Sequence, residues 1–362
     1  MKTSSLLLLL CLLPACGSGA KEAASPAAPT AGAQPGPAPV ALPSPALLVL
    51  NKGHQKPPRP SELCIVDPSS NVVVARIPTG VESHEVAVSS DGKLAVVSNT
   101  GSYKEPGHTL SVIDLATQRE VKRVELGPLT NPHGLAFRDG RFWFTAEGAR
   151  LVGRYDPAKE AVDWIMGLGR DSTHMLAFSK DGQKLFTANR GSASVGVVSL
   201  ALPSGPGPGL PPGGGPKKHG VGEIAVGEGP EGIDVTPDGG EVWVGSRGAV
   251  TVLDAANETV VATIATGGGP VNRVKVTPDG KRALATQWNG PVMVFDVASR
   301  KEVKRIDTGG MGASILITPD GSRAYIGMTD KDRVAIVDLA KLEVVGSLAT
   351  GEGPDGMAWA GK

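Results

Sequence analysis

A motif of about forty residues recurs along most of this chain and limits its fold more than any other feature. In the copy at 229–267, four short apolar runs are separated by Asp-Gly at 238–239, Ser-Arg-Gly at 246–248 and Asp-Ala-Ala-Asn at 254–257. Apolar runs rich in Val and Ile and bounded by such residues are typical of strands. Each copy is therefore predicted to form a four-stranded antiparallel unit.

Two aspartate positions mark the other copies. The Asp of the Asp-Gly pair recurs at Asp91, Asp139, Asp181, Asp238, Asp279 and Asp320. A second Asp closes the third strand at Asp67, Asp114, Asp156, Asp254, Asp296 and Asp338, and one copy has Ser199 there. Units of this length with four strands each indicate a β-propeller, whose blades bury their faces by stacking on their neighbours. Counting the copies predicts seven blades.

The two ends of the domain are predicted to share one blade. The last copy supplies a single strand near 356–360, and its three partners are expected at 46–50, 62–67 and 71–77. Joining one C-terminal strand to three N-terminal strands leaves no free sheet edge. The expected fold is an all-β, seven-bladed propeller of four-stranded antiparallel blades over residues 46–362.

The repeat pattern also carries a family resemblance. It reads G-x-G-P-[HE]-G and hydrophobic-x-V-T-P-D-G, then V-x-V-hydrophobic-D-x-A, over roughly residues 46–360. This pattern resembles the YVTN-type repeat of bacterial and archaeal extracytoplasmic propellers, the lactonase-like and cytochrome-d1-like superfamily. The resemblance implies the fold but leaves the function open, because similar propellers serve as lactonases, haem-carrying domains, surface-layer parts or binding scaffolds.

The N-terminal residues 1–16 are predicted to be a lipoprotein-type signal peptide. A lysine precedes an apolar run from Leu6 to Leu13 that is too short to span a bilayer. The tetrad Leu13-Pro14-Ala15-Cys16 resembles a bacterial lipobox, which implies lipidation of Cys16. An ordinary secretory signal cleaved nearby is the alternative. Either signal predicts an extracytoplasmic protein, in the periplasm or at the cell surface.

Two segments have the composition of disordered chain. Residues 17–45 are rich in Ala, Pro, Gly and Ser, and we interpret them as a linker between the membrane and the propeller. Residues 201–220 form a Gly- and Pro-rich insertion, for which a tolerated surface excursion is favoured over a binding loop.

Composition argues against several ligand classes. The formal net charge is +0 and aromatic residues make up 4% of the chain, so we expect no nucleic-acid partner. No Cys-x-x-Cys-His motif is present, which excludes covalent c-type haem. Of the three cysteines, two belong to the signal, and Cys64 is predicted to be a buried packing residue. The propeller is expected to be a monomer.

Aligned copies place polar residues at one end of the expected central channel. The innermost strands are predicted to start there with His84, His133, His174, Glu231, Asn272, Ala313 and Asp355. The second strands are predicted to end there with Asn51, Asn99, Glu147, Asn189, Ser246, Gln287 and Met328. Convergent polar groups in a concave site are typical of ligand binding. The predicted ligand-binding residues are Asn51, Asn99, Asn189, Arg190, Arg247, Asn272, Gln287 and Asp355.

The histidines suggest a metal. His84, His133 and His174 occupy one position in three successive copies, and imidazole is a common ligand of zinc and copper. They are therefore a hypothetical divalent-metal site, in which Glu147 or Glu231 completes the ligand set or acts as a catalytic base. The alternative is that histidine belongs to the repeat consensus and only bonds to neighbouring loops.

Two functions remain open. The preferred one is a lipid-anchored, extracytoplasmic scaffold that binds a small molecule or a protein through the polar face around its channel. The alternative is a metal-dependent hydrolase, lactonase or lyase that uses the three histidines. A noncovalent d1-type haem has little support, because haem needs an apolar pocket.

Overall fold

The computed structural model of the chain describes residues 39–53, 60–102, 104–200, 220–288 and 290–361. The predicted signal with Cys16, the linker as far as residue 38 and residues 201–219 of the insertion lie outside the described residues.

The described residues are almost entirely antiparallel β-structure. The strands are rich in β-branched residues, which favour β-structure, as in Leu94–Gly101. Two short 3₁₀ turns cover Arg190–Ser192 and Thr329–Lys331. The described part of the chain contains no helix that could span a bilayer.

The strands form six hydrogen-bonded sheets. One sheet joins the two ends of the described chain through β1 (Ala46–Asn51), β2 (Pro60–Asp67), β3 (Val72–Val81) and β26 (Pro354–Ala360). The second contains β4 (Ser83–Val88), β5 (Leu94–Gly101), β6 (Pro106–Asp114) and β7 (Arg119–Glu125). The third contains β8 (Pro132–Arg138), β9 (Arg141–Ala146), β10 (Leu151–Asp156) and β11 (Ala161–Gly167). The fourth contains β12 (Thr173–Phe178), β13 (Lys184–Asn189), β14 (Ser194–Ser199) and β15 (Val221–Ala225).

The remaining strands form one larger and one ordinary sheet. The six-stranded sheet contains β16 (Ile233–Val235), β17 (Glu241–Asp254), β18 (Thr259–Val276), β19 (Arg282–Gln287), β20 (Val292–Asp296) and β21 (Lys301–Ile306). The last sheet contains β22 (Gly312–Ile317), β23 (Arg323–Met328), β24 (Arg333–Asp338) and β25 (Glu343–Leu348).

The expectation of seven separate four-stranded blades is wrong, because the strands form six sheets and one of these has six strands. The difference arises in β18, which pairs with β17 in its first part and with β19 in its second part. The Gly-rich stretch at 267–269 joins the two parts within one strand, although Gly267 has a φ of +68°, and a Cβ on Gly268 would lie 2.3 Å from the Gln287 side chain. Two successive copies of the repeat therefore share one sheet.

The sheets are arranged radially around an axis. The innermost strands β4, β8, β12, β16, the second part of β18, β22 and β26 contact one another in a closed cycle. The C-terminal strand β26 pairs with β1, for example through Leu48 and Ala358, and so completes the sheet of the N-terminal strands. Buried apolar residues fill the space between neighbouring sheets, as where Leu48 and Leu63 pack near Val97. This arrangement is a β-propeller.

The aspartates of the repeat hold its turns. Asp91 accepts hydrogen bonds from the Ser89 hydroxyl (2.7 Å) and from the Lys93 backbone N–H (3.1 Å), and the same pattern recurs at Asp181 and Asp279. The Asp-Gly turns lie at one end of the axis, and the inner strands begin at the other end. Because the turn aspartates bind their own backbone, the end with the turns has a structural role.

Cys64 is fully buried in β2. Its sulfur accepts a hydrogen bond from the Asn51 amide (3.1 Å) and lies 3.3 Å from the Thr350 carbonyl oxygen. Burial raises the pKa of the Cys64 thiol to about 11.

We expect native Cys64 to resist alkylation at pH 8, because the thiolate is scarce and the sulfur is covered. Peptide mapping after iodoacetamide treatment should show modification of Cys64 more than about tenfold slower than in guanidinium-unfolded protein. Equal rates in the native and unfolded protein would contradict the burial of this strand.

Candidate functional site

One end of the axis, here termed the mouth, is where the innermost strands begin. The structure places the predicted inner-strand residues there, and in chain order they are His84, His133, His174, Glu231, Asn272, Ala313 and Asp355. The strand register shifts at this end of β4, β8, β12, β18, β22 and β26. A β-bulge re-aims side chains, so the repeated bulge directs these residues toward the axis.

Hydroxyl groups from neighbouring sheets hold the mouth residues in place. Ser98 donates a hydrogen bond to the His133 carbonyl (2.7 Å), Thr145 to the His174 carbonyl (2.5 Å) and Ser314 to the Asp355 carbonyl (2.6 Å). Gly134 permits the close approach of adjacent inner strands, because a Cβ there would lie 2.7 Å from the His174 carbonyl oxygen. The backbone at the mouth is thus fixed from one sheet to the next.

The three predicted histidines are brought together. The ring centroids of His84 and His133 are 4.7 Å apart, and those of His133 and His174 are 3.9 Å apart. His133 and His174 are buried, whereas His84 is partly exposed.

Glu147 joins two of these histidines. Its carboxylate contacts Nδ1 of His174, and one ligand atom each from His133, Glu147 and His174 lie within 4.8 Å of one another. Nδ1 of His133 is buried and has no hydrogen-bond partner among the described residues. Of the described residues, this is the group whose side chains could hold a metal ion.

His84 belongs to a different set of contacts. Its Nδ1 lies 3.1 Å from Oδ2 of Asp355, and the Lys52 ammonium lies 3.1 Å from the same oxygen. Its Nε2 lies 3.9 Å from a Glu82 oxygen. The structure therefore separates His84 from the contact between His174 and Glu147.

A buried ion pair crosses the axis just inside the mouth. The Arg273 guanidinium contacts the Glu85 carboxylate and lies 3.7 Å from Oδ1 of Asp355. Glu85 and Arg273 also border an axial cavity of about 290 Å³, which is lined further down by apolar residues such as Phe178 and Ile233. This pair therefore lies at the boundary between the mouth and the cavity.

Burial and neighbouring charges shift the pKa values of the histidines. Burial lowers the pKa of His133 well below its ordinary value, and positive charge at His174 and His84 acts in the same direction. Burial also lowers the pKa of His84, although its hydrogen bond to Asp355 opposes the shift. The lowered pKa of His133 favours the neutral imidazole, the form that binds metals.

The pKa values of the mouth carboxylates depend on burial and on their charged partners. Burial would raise the pKa of Glu147, but His174, Arg190 and His84 together lower it. At Asp355, Lys52, His84 and Arg273 together overcome burial and hold the pKa well below the usual range. Burial raises the pKa of Glu85 despite the opposing charge of Arg273.

The predicted asparagine ring lies mostly inside the sheets. Asn99 accepts hydrogen bonds from the Gly80 N–H (3.0 Å) and the Ser83 hydroxyl (2.8 Å), and donates to Thr109 (2.8 Å) and Ser111 (3.0 Å). Hydrogen bonds to neighbouring residues also engage the side chains of Asn51, Asn189 and Gln287.

The remaining predicted residues differ in their surroundings. Arg190 lies 3.0 Å from Glu231, and Arg247 is exposed. Asn272 is buried, and its Oδ1 has no partner within the described ranges. His108, which is not among the predicted site residues, lies 3.5 Å from Glu125 on the surface.

The sequence reasoning missed the role of Glu85 at the mouth, whereas Lys52 and Arg273 are recognisable in the sequence as cations beside ring positions. Glu85 directly follows the ring residue His84. The charge of Glu85 beside a ring position was the available signal for its role. Its partner Arg273 could not be inferred from the sequence, because it is 188 positions away along the chain.

Solved structures that are similar to this chain include a hydrazine synthase and a putative lactonase. Hydrazine synthase from Kuenenia stuttgartiensis is 19% identical, with a TM-score of 0.63, over 76% of this chain and 88% of that chain. A putative 6-phosphogluconolactonase from Bacteroides fragilis is 13% identical, with a TM-score of 0.70, over 89% of this chain and 99% of that chain. At these identities the likeness shows the fold alone, a β-propeller. No protein-family model and no curated protein matches the chain.

We expect Arg273 to be important for stability. Replacing Arg273 with Met leaves Glu85 and Asp355 buried without this cation, and breaking a buried ion pair costs about 3–5 kcal/mol. The free energy of unfolding in urea should fall by that amount.

Arg123→Met is the matched control, since Arg123 pairs with Glu120 on the surface at 2.6 Å. Loss of an exposed pair costs about 0–1 kcal/mol. Equal losses in the two variants would show that Arg273 contributes no more than a surface charge.

Proposed function

We propose that this chain is an extracytoplasmic binding scaffold that receives a small molecule or a protein at the mouth of its propeller. The observation that carries the proposal is the convergence of charged side chains at the mouth, where Asp355, Lys52 and His84 meet beside the pair of Arg273 and Glu85. Buried ion pairs are weak evidence for stability, so their concentration around one concave opening favours recognition.

The opposite end of the axis offers less for recognition. Its Asp-Gly turns use their carboxylates to hold their own backbone, as Asp279 does by accepting from the Lys281 N–H at 3.0 Å. The mouth varies from one sheet to the next, whereas these turns repeat. A binding site at the mouth would therefore be more specific for its ligand than a site at the opposite end of the axis.

Photo-crosslinking from the two ends of the axis tests this proposal. A photoreactive residue in place of Arg247, which is exposed on the mouth side, should give a discrete crosslinked product in intact cells. The same residue in place of Lys281, which is exposed on the opposite side, should not. Equal labelling from both positions would contradict binding at the mouth.

The proposal includes a lipid anchor at Cys16. The apolar run before Leu13-Pro14-Ala15-Cys16 supports it. Lipidation adds about 0.8 kcal/mol of membrane affinity per buried CH₂, so the wild-type chain should sediment with membranes.

Cys16→Ala should move the protein to the soluble extracytoplasmic fraction, as followed by fractionation and immunoblotting, and should abolish labelling by a radioactive fatty acid. Cys64→Ala is the control, because Cys64 lies in a buried strand. Unchanged fractionation of the Cys16 variant would argue against the anchor.

A metal-dependent hydrolase is the second candidate, and the grouping of His133, Glu147 and His174 favours it. A cation held there would polarise an ester carbonyl and activate water. Water would then add to the carbonyl carbon, the ring C–O bond of a lactone would break, and the departing oxygen would take up a proton. Lactones are the first class to test, because one structural neighbour is described as a putative 6-phosphogluconolactonase.

The scaffold proposal predicts no turnover of lactones or simple esters above the buffer rate, with or without added zinc. A pH-stat assay of the purified chain measures this directly. Saturable hydrolysis that disappears in His133→Ala and persists in the surface variant His108→Ala would instead establish the hydrolase.

A further inference from the structure

We propose that His133, His174 and Glu147 bind one divalent transition-metal ion, with zinc as the best fit, and that His84 is not a ligand. This inference deepens the proposed function, because it names a cation as an occupant of the same mouth. It also changes the ligand set expected from the sequence, since a carboxylate takes the place of the third imidazole.

The donor set is the first support. Two imidazoles and one carboxylate are a known combination for zinc with an open coordination position and for other transition metals. One ligand atom from each of the three residues lies within 4.8 Å of the other two. Small side-chain rotations would bring each donor to about 2.1 Å from a shared ion.

The unpaired nitrogen of His133 is an independent second support. The side chain is only 4% exposed, and its Nδ1 has no hydrogen-bond partner among the described residues. A buried polar atom without a partner costs about 1–3 kcal/mol. Coordination through this nitrogen would supply the missing partner, whereas Nδ1 of His84 already contacts Asp355.

The charge around the mouth is the third support. Among the side chains that form ion pairs at the mouth, Glu147 included, carboxylates outnumber permanent cations by two before the histidines are counted; the acids are Glu82, Glu85, Glu147, Glu231 and Asp355, and the cations are Lys52, Arg190 and Arg273. A divalent ion would neutralise this excess. An anionic ligand would increase the repulsion.

The ligands are also held in place before any ion arrives. The backbone carbonyls of His133 and His174 accept hydrogen bonds from Ser98 and Thr145 of adjacent sheets. Preorganised ligands bind more tightly, because less conformational freedom is lost on binding.

Zinc titration of the purified full chain, produced without a polyhistidine tag, tests the inference by isothermal calorimetry. Wild-type protein should bind one zinc ion per chain with a dissociation constant in the micromolar range or below. Glu147→Gln, which keeps the shape of the side chain, and His174→Gln should each weaken binding by more than about tenfold.

His84→Gln is the matched control and should leave zinc affinity within about threefold of wild type. Circular dichroism melting of every variant, without zinc, separates a lost ligand from a lost fold. Only variants that melt within a few degrees of wild type are compared, and Glu147→Asp provides a second folded variant in which the carboxylate is withdrawn from the site.

Two results would overturn the inference. One is the absence of a micromolar site in wild type for zinc, copper and manganese alike. The other is a loss in His84→Gln as large as that in Glu147→Gln. Crosslinking at residue 247 without zinc binding would refute the metal site and leave the proposed binding function standing. Zinc binding without crosslinking would leave the metal site standing and refute binding of a partner at the mouth.

Discussion

The hydrogen bond from a hydroxyl of one sheet to a mouth carbonyl of the next is the contact on which the site depends. Ser98, Thr145 and Ser314 each make this bond. It fixes the height of each inner strand relative to its neighbour, and the β-bulge at the same level turns the side chain toward the axis. Residues far apart in the sequence thereby reach one opening with little freedom to move.

Charge compensation is the second organising feature of the mouth. The contact of Arg273 with Glu85 and Asp355 neutralises carboxylates on two neighbouring inner strands, β4 and β26, and Lys52 also reaches Asp355. Charges buried in this way are costly unless they are paired. The group of His133, His174 and Glu147 is the least completely paired part of this network, since Nδ1 of His133 has no partner within the described residues. A bound cation would complete it.

The repeat made the strands and turns predictable, because they depend on local residues such as the Asp-Gly pair. The alignment of copies also placed His84, His133, His174 and Asp355 at one end of the axis. It did not predict the six-stranded sheet, which arises because the single strand β18 pairs with both β17 and β19. Nor could it tell which polar residues face the axis, because Asn99 and Glu147 occupy equivalent positions and only Glu147 meets a histidine. Such contacts depend on radial geometry, which a single copy of the repeat does not contain.

The most direct test of a cation-binding mouth is anomalous diffraction from crystals of the zinc-loaded protein, collected above and below the zinc absorption edge. The account predicts one strong anomalous peak at about 2.1 Å from donor atoms of His133, His174 and Glu147. His84 should keep its contact with Asp355 in that crystal. A peak at His84 and Asp355, a peak only at the surface pair of His108 and Glu125, or no peak at all would contradict the account.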